Sequence, residues 1–103
     1  MTAQQLAEYL QNADASPLLL DVREPWEYQI CRLDGSLLLP MRTVPEACRQ
    51  LDAQRETIVI CHHGIRSRSV ASYLEREGFG NVVNLNGGVA AWARDVDPQM
   101  PVY

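Results

Sequence analysis

The chain has 103 residues, 47% of them hydrophobic and 21% charged, a balance that excludes a disordered segment and suits one domain rather than two. Thirteen acids against nine bases leave a net charge of -4, which argues against a phosphate-backbone binder and so against nucleic acid as a partner. All nine bases are arginine, so chemistry that needs a lysine, such as a Schiff base or a P-loop, is ruled out.

Thr2 followed by Gln5 fits a capping box, and Ala3, Leu6, Ala7, Leu10 and Ala13 recur at helical spacing behind it. The turn-rich stretch from Asn12 to Pro17 stops this helix. Leu18 to Val22 is a short apolar run that reads as a buried strand. Glu24 to Ile30 reads as a short helix with Pro25 in its first turn. Gly35 precedes a second apolar run, Leu37-Leu38-Leu39, which Pro40 ends. Thr43 and Glu46 again fit a capping box, with Val44, Ala47, Cys48 and Leu51 on one helical face. Thr57 to Ile60 is β-branched throughout and is the most strand-like run. Ser67 to Glu77 reads as a helix with Val70, Ala71 and Leu74 inward and Gly78 just past its end. Val82 to Leu85 is a fourth strand, Gly87-Gly88 a turn, and Val89 to Ala93 a short helix.

Strands that are continuously apolar and alternate with helices predict an α/β domain whose mostly parallel sheet is covered on both faces. No apolar run approaches the roughly 20 residues of a membrane span, and the N-terminal stretch lacks a signal peptide's basic and apolar regions. Cys31, Cys48 and Cys61 are odd in number and show no paired spacing. A soluble, cytoplasmic protein with no membrane partner is the expectation.

Ligands in such sheets bind beyond the carboxyl ends of the strands, and Cys61 lies at such an end. The loop Cys61-His62-His63-Gly64-Ile65-Arg66-Ser67 runs from a buried strand straight into a helix. The helix directs its unpaired N–H groups and positive dipole end at the loop. A short turn of this kind points successive amides inward as an anion nest, and Gly64 supplies a left-handed residue within it. His62, His63, Arg66 and Arg68 add charge near the sulfur. Each feature favours thiolate over thiol, and together they turn a strand-end cysteine from packing into a candidate nucleophile. Phosphatase loops of related design place one more residue between cysteine and arginine than the four found here, where Ser67 follows Arg66. The tighter bowl suits one extra sulfur atom better than a phosphate, leaving a phosphatase or arsenate-reductase-like enzyme as the alternative.

At this loop the chain resembles the rhodanese (sulfurtransferase) family. Leu19 to Tyr28 is similar to its D-V-R-E-x-x-E-Y segment, and Cys61, Gly64, Arg66 and Ser67 match its C-x-x-G-x-R-S loop. Gly78-Phe79 through Trp92 is similar to its closing G-F-x-N-V-x-x-L-x-G-G-x-x-A-W segment. The resemblance implies one rhodanese domain over residues 1–103, a three-layer α/β fold with a mostly parallel sheet of about five strands flanked by helices on both faces. It also implies that Cys61 takes the outer sulfur of an anionic donor such as thiosulfate and passes it, as a persulfide, to cyanide, a thiol or a sulfur-carrier protein. No metal or organic cofactor is required by that chemistry. The Cys31-Arg32-Leu33 stretch and the Val96 to Tyr103 ending look more like rhodanese domains attached to enzymes that sulfurate small carrier proteins. A non-catalytic rhodanese-like interaction module is a further alternative.

Asp21 ends the first strand on the same rim, where it either orients Arg23, Arg66 or the loop amides, or forms a plain ion pair. Arg66 either binds the donor's anion or turns inward to lock the loop. His62 and His63 either supply donors and pH sensitivity at the loop mouth or are simply solvated. Cys48 reads as core, Cys31 as core or a resolving thiol, and Trp26 and Trp92 as packing residues. Arg23, Arg32, Arg66 and Arg68 fall on segments expected near the rim and predict a cationic mouth on an acidic chain.

Overall fold

Thr2 closes the first helix as its pattern requires: its hydroxyl accepts from the Gln5 N–H at 3.1 Å, and Gln5 Oε1 accepts from the Thr2 N–H at 2.8 Å. The resulting α1 (Ala3–Leu10) buries Ala3 and Leu6. The structure, a computed structural model, describes residues 1–12 and 14–103, so the expected place of Ala13 on the helical face lies outside the described residues.

The four apolar runs form β1 (Leu18–Asp21), β2 (Leu37–Leu38), β3 (Thr57–Ile60) and β4 (Val82–Asn84). They make one sheet in the order β2-β1-β3-β4, and every pair is parallel. Its register sets Asp21 beside Ile60 and Val59 beside Asn84, so Asp21, Cys61 and Asn84 share the carboxyl rim. Among the described residues the sheet has four strands, the number of apolar runs, against the about five that the family resemblance implies.

The period of two along each strand divides the core. On one face Leu19, Ile58, Ile60 and Leu85 pack with Ala3 and Leu6 of α1 and with Val89 and Ala91 of α5 (Gly88–Asp95). On the other, Leu20, Val59 and Cys61 pack with Val44 of α3 (Val44–Ala47) and Val70, Ala71 and Leu74 of α4 (Ile65–Arg76). All four β3 residues are buried, and each buried Ile or Val stabilises by about 1.5–3 kcal/mol, so the strand that carries Cys61 is firmly held. This is the α/β three-layer arrangement expected of a parallel sheet.

Two local expectations need correction. The Thr43–Glu46 pattern makes no capping box: Met41–Thr43 is already a 3-10 turn, so Thr43 has helical dihedrals (φ -93°, ψ -10°) and its hydroxyl donates back to the Pro40 carbonyl at 2.7 Å. The helix there is the four-residue α3, followed by a second 3-10 turn at Cys48–Gln50. Trp26, expected to pack, is 59% exposed, with its ring edge-on to Tyr103 at 5.6 Å. By contrast Gly78 does end α4 with φ +98°, as Phe79 N–H closes back on the Leu74 carbonyl at 3.0 Å.

Candidate active site

Beyond Ile60 the chain leaves the sheet at Cys61, which is 1% exposed, and turns at once into α4. Gly64 makes the turn with φ +96°, and a side chain there would bring a Cβ to 3.0 Å from the Gly87 nitrogen. The turn folds the loop around the sulfur. Cys61 Sγ accepts from the Gly64 N–H at 3.1 Å and the Ser67 N–H at 3.3 Å, and its thiol donates to Ser67 Oγ at 3.3 Å.

What frees those amides is the next helix. The first turn of α5 takes the loop's carbonyls: Val89 N–H donates to Cys61 O at 2.9 Å and Ala90 N–H to His62 O at 3.0 Å. With carbonyls pulled outward, amides face inward, the polarity an anion nest needs. The approach leaves no room for a side chain at Gly88, where a Cβ would stand 2.3 Å from Cys61 O. The same site includes Asn84 at the end of β4. Its Nδ2 donates to the Gly64 carbonyl at 3.2 Å, and its Oδ1 accepts from the Ser67 hydroxyl.

Arg66 pairs with Glu27. Its Nη1 and Nη2 donate to Glu27 Oε1 and Oε2 at 2.7 and 2.9 Å, a bidentate clamp between α4 and α2 (Pro25–Ile30). Glu27 also accepts from the Glu24 N–H and the Tyr103 hydroxyl. The Arg66 hydrogen bonds hold its carboxyl down at about 2 despite burial. Glu27 and Tyr103 carried no role in the sequence reading: Glu27 sits inside the D-V-R-E-x-x-E-Y segment, and Tyr103 lies 76 residues away with no local signal.

Asp21 and Arg23 form a fully buried pair, with Arg23 Nη2 2.8 Å from Asp21 Oδ2 and Nε 2.9 Å from Oδ1. Burial opposes the Arg23 charge, but hydrogen bonds to Asp21 and Tyr103 outweigh it and keep the guanidinium protonated. Asp21 thus forms the ion pair with Arg23, and Arg23 in turn donates to the Cys31 carbonyl at 2.6 Å and the Tyr103 hydroxyl at 2.9 Å. Neither Arg23 nor Arg66 is a free cation at a mouth. Arg32 is exposed over the Tyr28 ring and Arg68 is exposed on α4. Two of the four arginines expected near the rim, Arg23 and Arg66, are thus held in ion pairs, and the N–H donors that reach the sulfur are backbone amides.

His62 is stacked between His63 and Tyr103, with both ring centroids at 4.1 Å. Burial, then the neighbouring His63, push its pKa down. His63 and Ile65 are exposed. An open cleft of about 510 Å³ borders the loop at Arg66 and is lined by Val22, Glu24, Met41 and Arg42. Cys48 is buried on the Cys61 side of the sheet, whereas Cys31 packs on the opposite side, and all three thiols are free. Among the described residues no three His, Cys, Asp or Glu side chains gather where a metal could be held, and no helix is long and apolar enough to cross a membrane.

Known proteins are similar to this chain along most of its length. A rhodanese-like domain family model matches residues 2–95. Rhodanese-like/PpiC domain-containing protein 12 of Arabidopsis thaliana is 39% identical over 89 residues, 82% of this chain but only 30% of that longer protein. Thiosulfate sulfurtransferase GlpE of Pseudomonas entomophila is 35% identical over 75 residues, covering 73% of this chain and 69% of its own. The crystal structure of a rhodanese-like domain protein from Staphylococcus aureus superposes with a TM-score of 0.83 at 29% identity, over 89% of this chain and 88% of that one. With a family model matched over residues 2–95 and a parallel sheet that carries a strand-end cysteine held by two amides, the chain belongs to the rhodanese-like domain family.

Proposed function

We propose that the chain acts as one catalytic rhodanese domain, moving a sulfane sulfur from an anionic donor such as thiosulfate to a thiophilic acceptor through a persulfide on Cys61. The observation that carries this reading is the pair of N–H groups from Gly64 and Ser67 converging on Cys61 Sγ at 3.1 and 3.3 Å. Two fixed donors stabilise a sulfur anion without reorganising during reaction.

In the first step the Cys61 thiolate attacks the outer sulfur of thiosulfate. A new S–S bond forms as the old one breaks, and sulfite leaves with the electron pair. In the second, the acceptor attacks that outer sulfur; cyanide leaves as thiocyanate, and Cys61 departs as the thiolate. His62, His63, Gly64, Ile65, Arg66 and Ser67 form the loop around the sulfur, with Arg66 holding its shape through Glu27 and Asp21–Arg23 supporting the wall behind it. Thiols and a sulfur-carrier protein are the other acceptor classes. The cytoplasm, with its reduced thiols, is the proposed compartment.

Incubation with thiosulfate followed by intact-mass measurement tests the reading. The wild-type chain gains one sulfur, and Cys61→Ser does not. A wild-type chain that takes up no sulfur and yields no thiocyanate from cyanide overturns it.

A further inference from the structure

The polar chain behind Cys61 has a forced direction. The Gly64 carbonyl can only accept, so the Asn84 amide must present its NH2 group there, at 3.2 Å. The same NH2 lies 3.2 Å from Asn86 Oδ1, which accepts as well. That leaves Asn84 Oδ1 facing Ser67, whose hydroxyl must then donate to it. With its one proton committed, Ser67 Oγ turns a lone pair toward the sulfur, and the contact at 3.3 Å is made by the thiol's own proton. In the resting chain the Ser67 side chain therefore serves the neutral thiol, while the Gly64 and Ser67 backbone amides serve the anion.

We propose that Asn84 is a positioning residue that holds the Ser67 hydroxyl as an acceptor for the resting Cys61 thiol, and that this hydroxyl rotates to donate to the sulfur when Cys61 loses its proton. The proton passes to water, the Ser67 O–H leaves Asn84 Oδ1, and the thiolate gains a third donor beside its two amides. The cost is one released hydrogen bond at Asn84, a half-buried residue. For catalysis the inference rests on the sulfur-transfer reading, because the same rotation would serve the terminal sulfur of a persulfide.

The switch is tested by alkylation with iodoacetamide at neutral pH, read by mass at the Cys61 peptide, in wild type, Asn84→Ala, Ser67→Ala and the double variant. Removing the acceptor frees the hydroxyl, so Asn84→Ala speeds alkylation about fivefold, the worth of one neutral hydrogen bond, and raises the thiolate's ultraviolet absorbance. In the Ser67→Ala background the same substitution changes the rate less than about twofold, because its effect runs through the hydroxyl. Acceleration that persists in full without Ser67 overturns the proposal, since it then comes from a loop loosened at Gly64. An unchanged rate in Asn84→Ala also overturns it. Should Asn84→Ala fail to melt cooperatively, Ser67→Ala alone decides: it removes the thiolate's third donor and must slow alkylation, and faster alkylation counts against the switch. No sulfur donor enters this assay. A switch found in a chain that takes up no sulfur would stand while the transfer reading fell, and a loading chain without the switch would show the reverse.

Discussion

Arg66 reaches from the first turn of α4 to grip Glu27 of α2 with both guanidinium nitrogens, at 2.7 and 2.9 Å. The pair joins α2 to the helix that follows the Cys61 loop, and Glu27 is 4% exposed while Arg66 is 37% exposed. Solvent screens the arginine side, so the pair is worth less than a fully buried one. Glu27→Gln is expected to cost about 1–3 kcal/mol in urea unfolding, because Arg66 loses its anion and the Gln amide cannot accept on both sides.

The same pair makes stability depend on acid. The Glu27 carboxyl is held at about 2 by Arg66 against an ordinary 4.5, so the unfolded chain takes up this proton before the folded one does. Its contribution is full above about pH 4.5 and is lost as pH falls toward 2. Urea titrations across that window should show wild type losing stability more steeply than Glu27→Gln. Parallel curves would assign the acid dependence to other carboxylates.

Gly88 and Gly35 separate a crowded turn from an open one. Both have positive φ, +58° and +79°, but a Cβ at Gly88 meets Cys61 O at 2.3 Å while one at Gly35 meets nothing within 4 Å. Gly35→Ala therefore bears only the left-handed backbone cost, about 1–2 kcal/mol, and should load sulfur normally. Gly88→Ala must also push the loop off the α5 amides. It is expected to destabilise by more than about 3 kcal/mol and to abolish loading, read by thermal melting and intact mass. Equal melting losses in the two variants would mean that the loop has another place to go.

Much of this was legible because its causes are local. Four apolar runs became four strands, Pro25 opened α2, and Gly78 closed α4, each through the chemistry of neighbouring residues. The loop could be read from Gly64 and the helix that follows it. The destination of Arg66 could not, because its choice between an anion and Glu27 is decided by how α2 packs on α4. Nor could Asn84, whose role depends on parallel register setting it beside Val59, two residues from Cys61. Its one available signal was a polar residue at the carboxyl end of a buried strand. Thr43 misled for the opposite reason: the pattern was present, but the preceding 3-10 turn had already taken its backbone out of the capping conformation.

Tyr103 ties the end of the chain to the site through its hydroxyl and its ring. The hydroxyl accepts from Arg23 at 2.9 Å and donates to Glu27 at 2.8 Å, and the ring stacks on His62 at 4.1 Å. Tyr103→Phe removes only the hydroxyl and should cost about 1–2 kcal/mol with sulfur loading retained. Tyr103→Ala also uncovers His62. Its imidazole then regains solvent, so the proton affinity that burial suppresses should rise, visible as an upward shift in the His62 titration by NMR. No movement of that titration would show that the His63 ring alone sets it.

Cys31 and Cys61 stand on opposite faces of the sheet, one packed with Leu33 and Val89, the other with Val59 and Val70. A bond between them would require Cα atoms within about 7 Å and side chains that face each other, whereas the two thiols are packed into separate cores. The Cys31 sulfur is occupied besides, lying 3.7 Å from Arg23 Nη1, and is 8% exposed. Oxidation by peroxide should therefore leave no internal disulfide in the folded chain, and sulfenic acid at Cys61 should be reduced only by an added thiol. Cys31→Ser should load sulfur to the wild-type extent, as should Cys48→Ser, whose thiol donates locally to the Pro45 carbonyl. Non-reducing mass spectrometry after peroxide decides it: loss of two hydrogens in wild type but not in Cys31→Ser would show that the sheet opens far enough for the two thiols to meet.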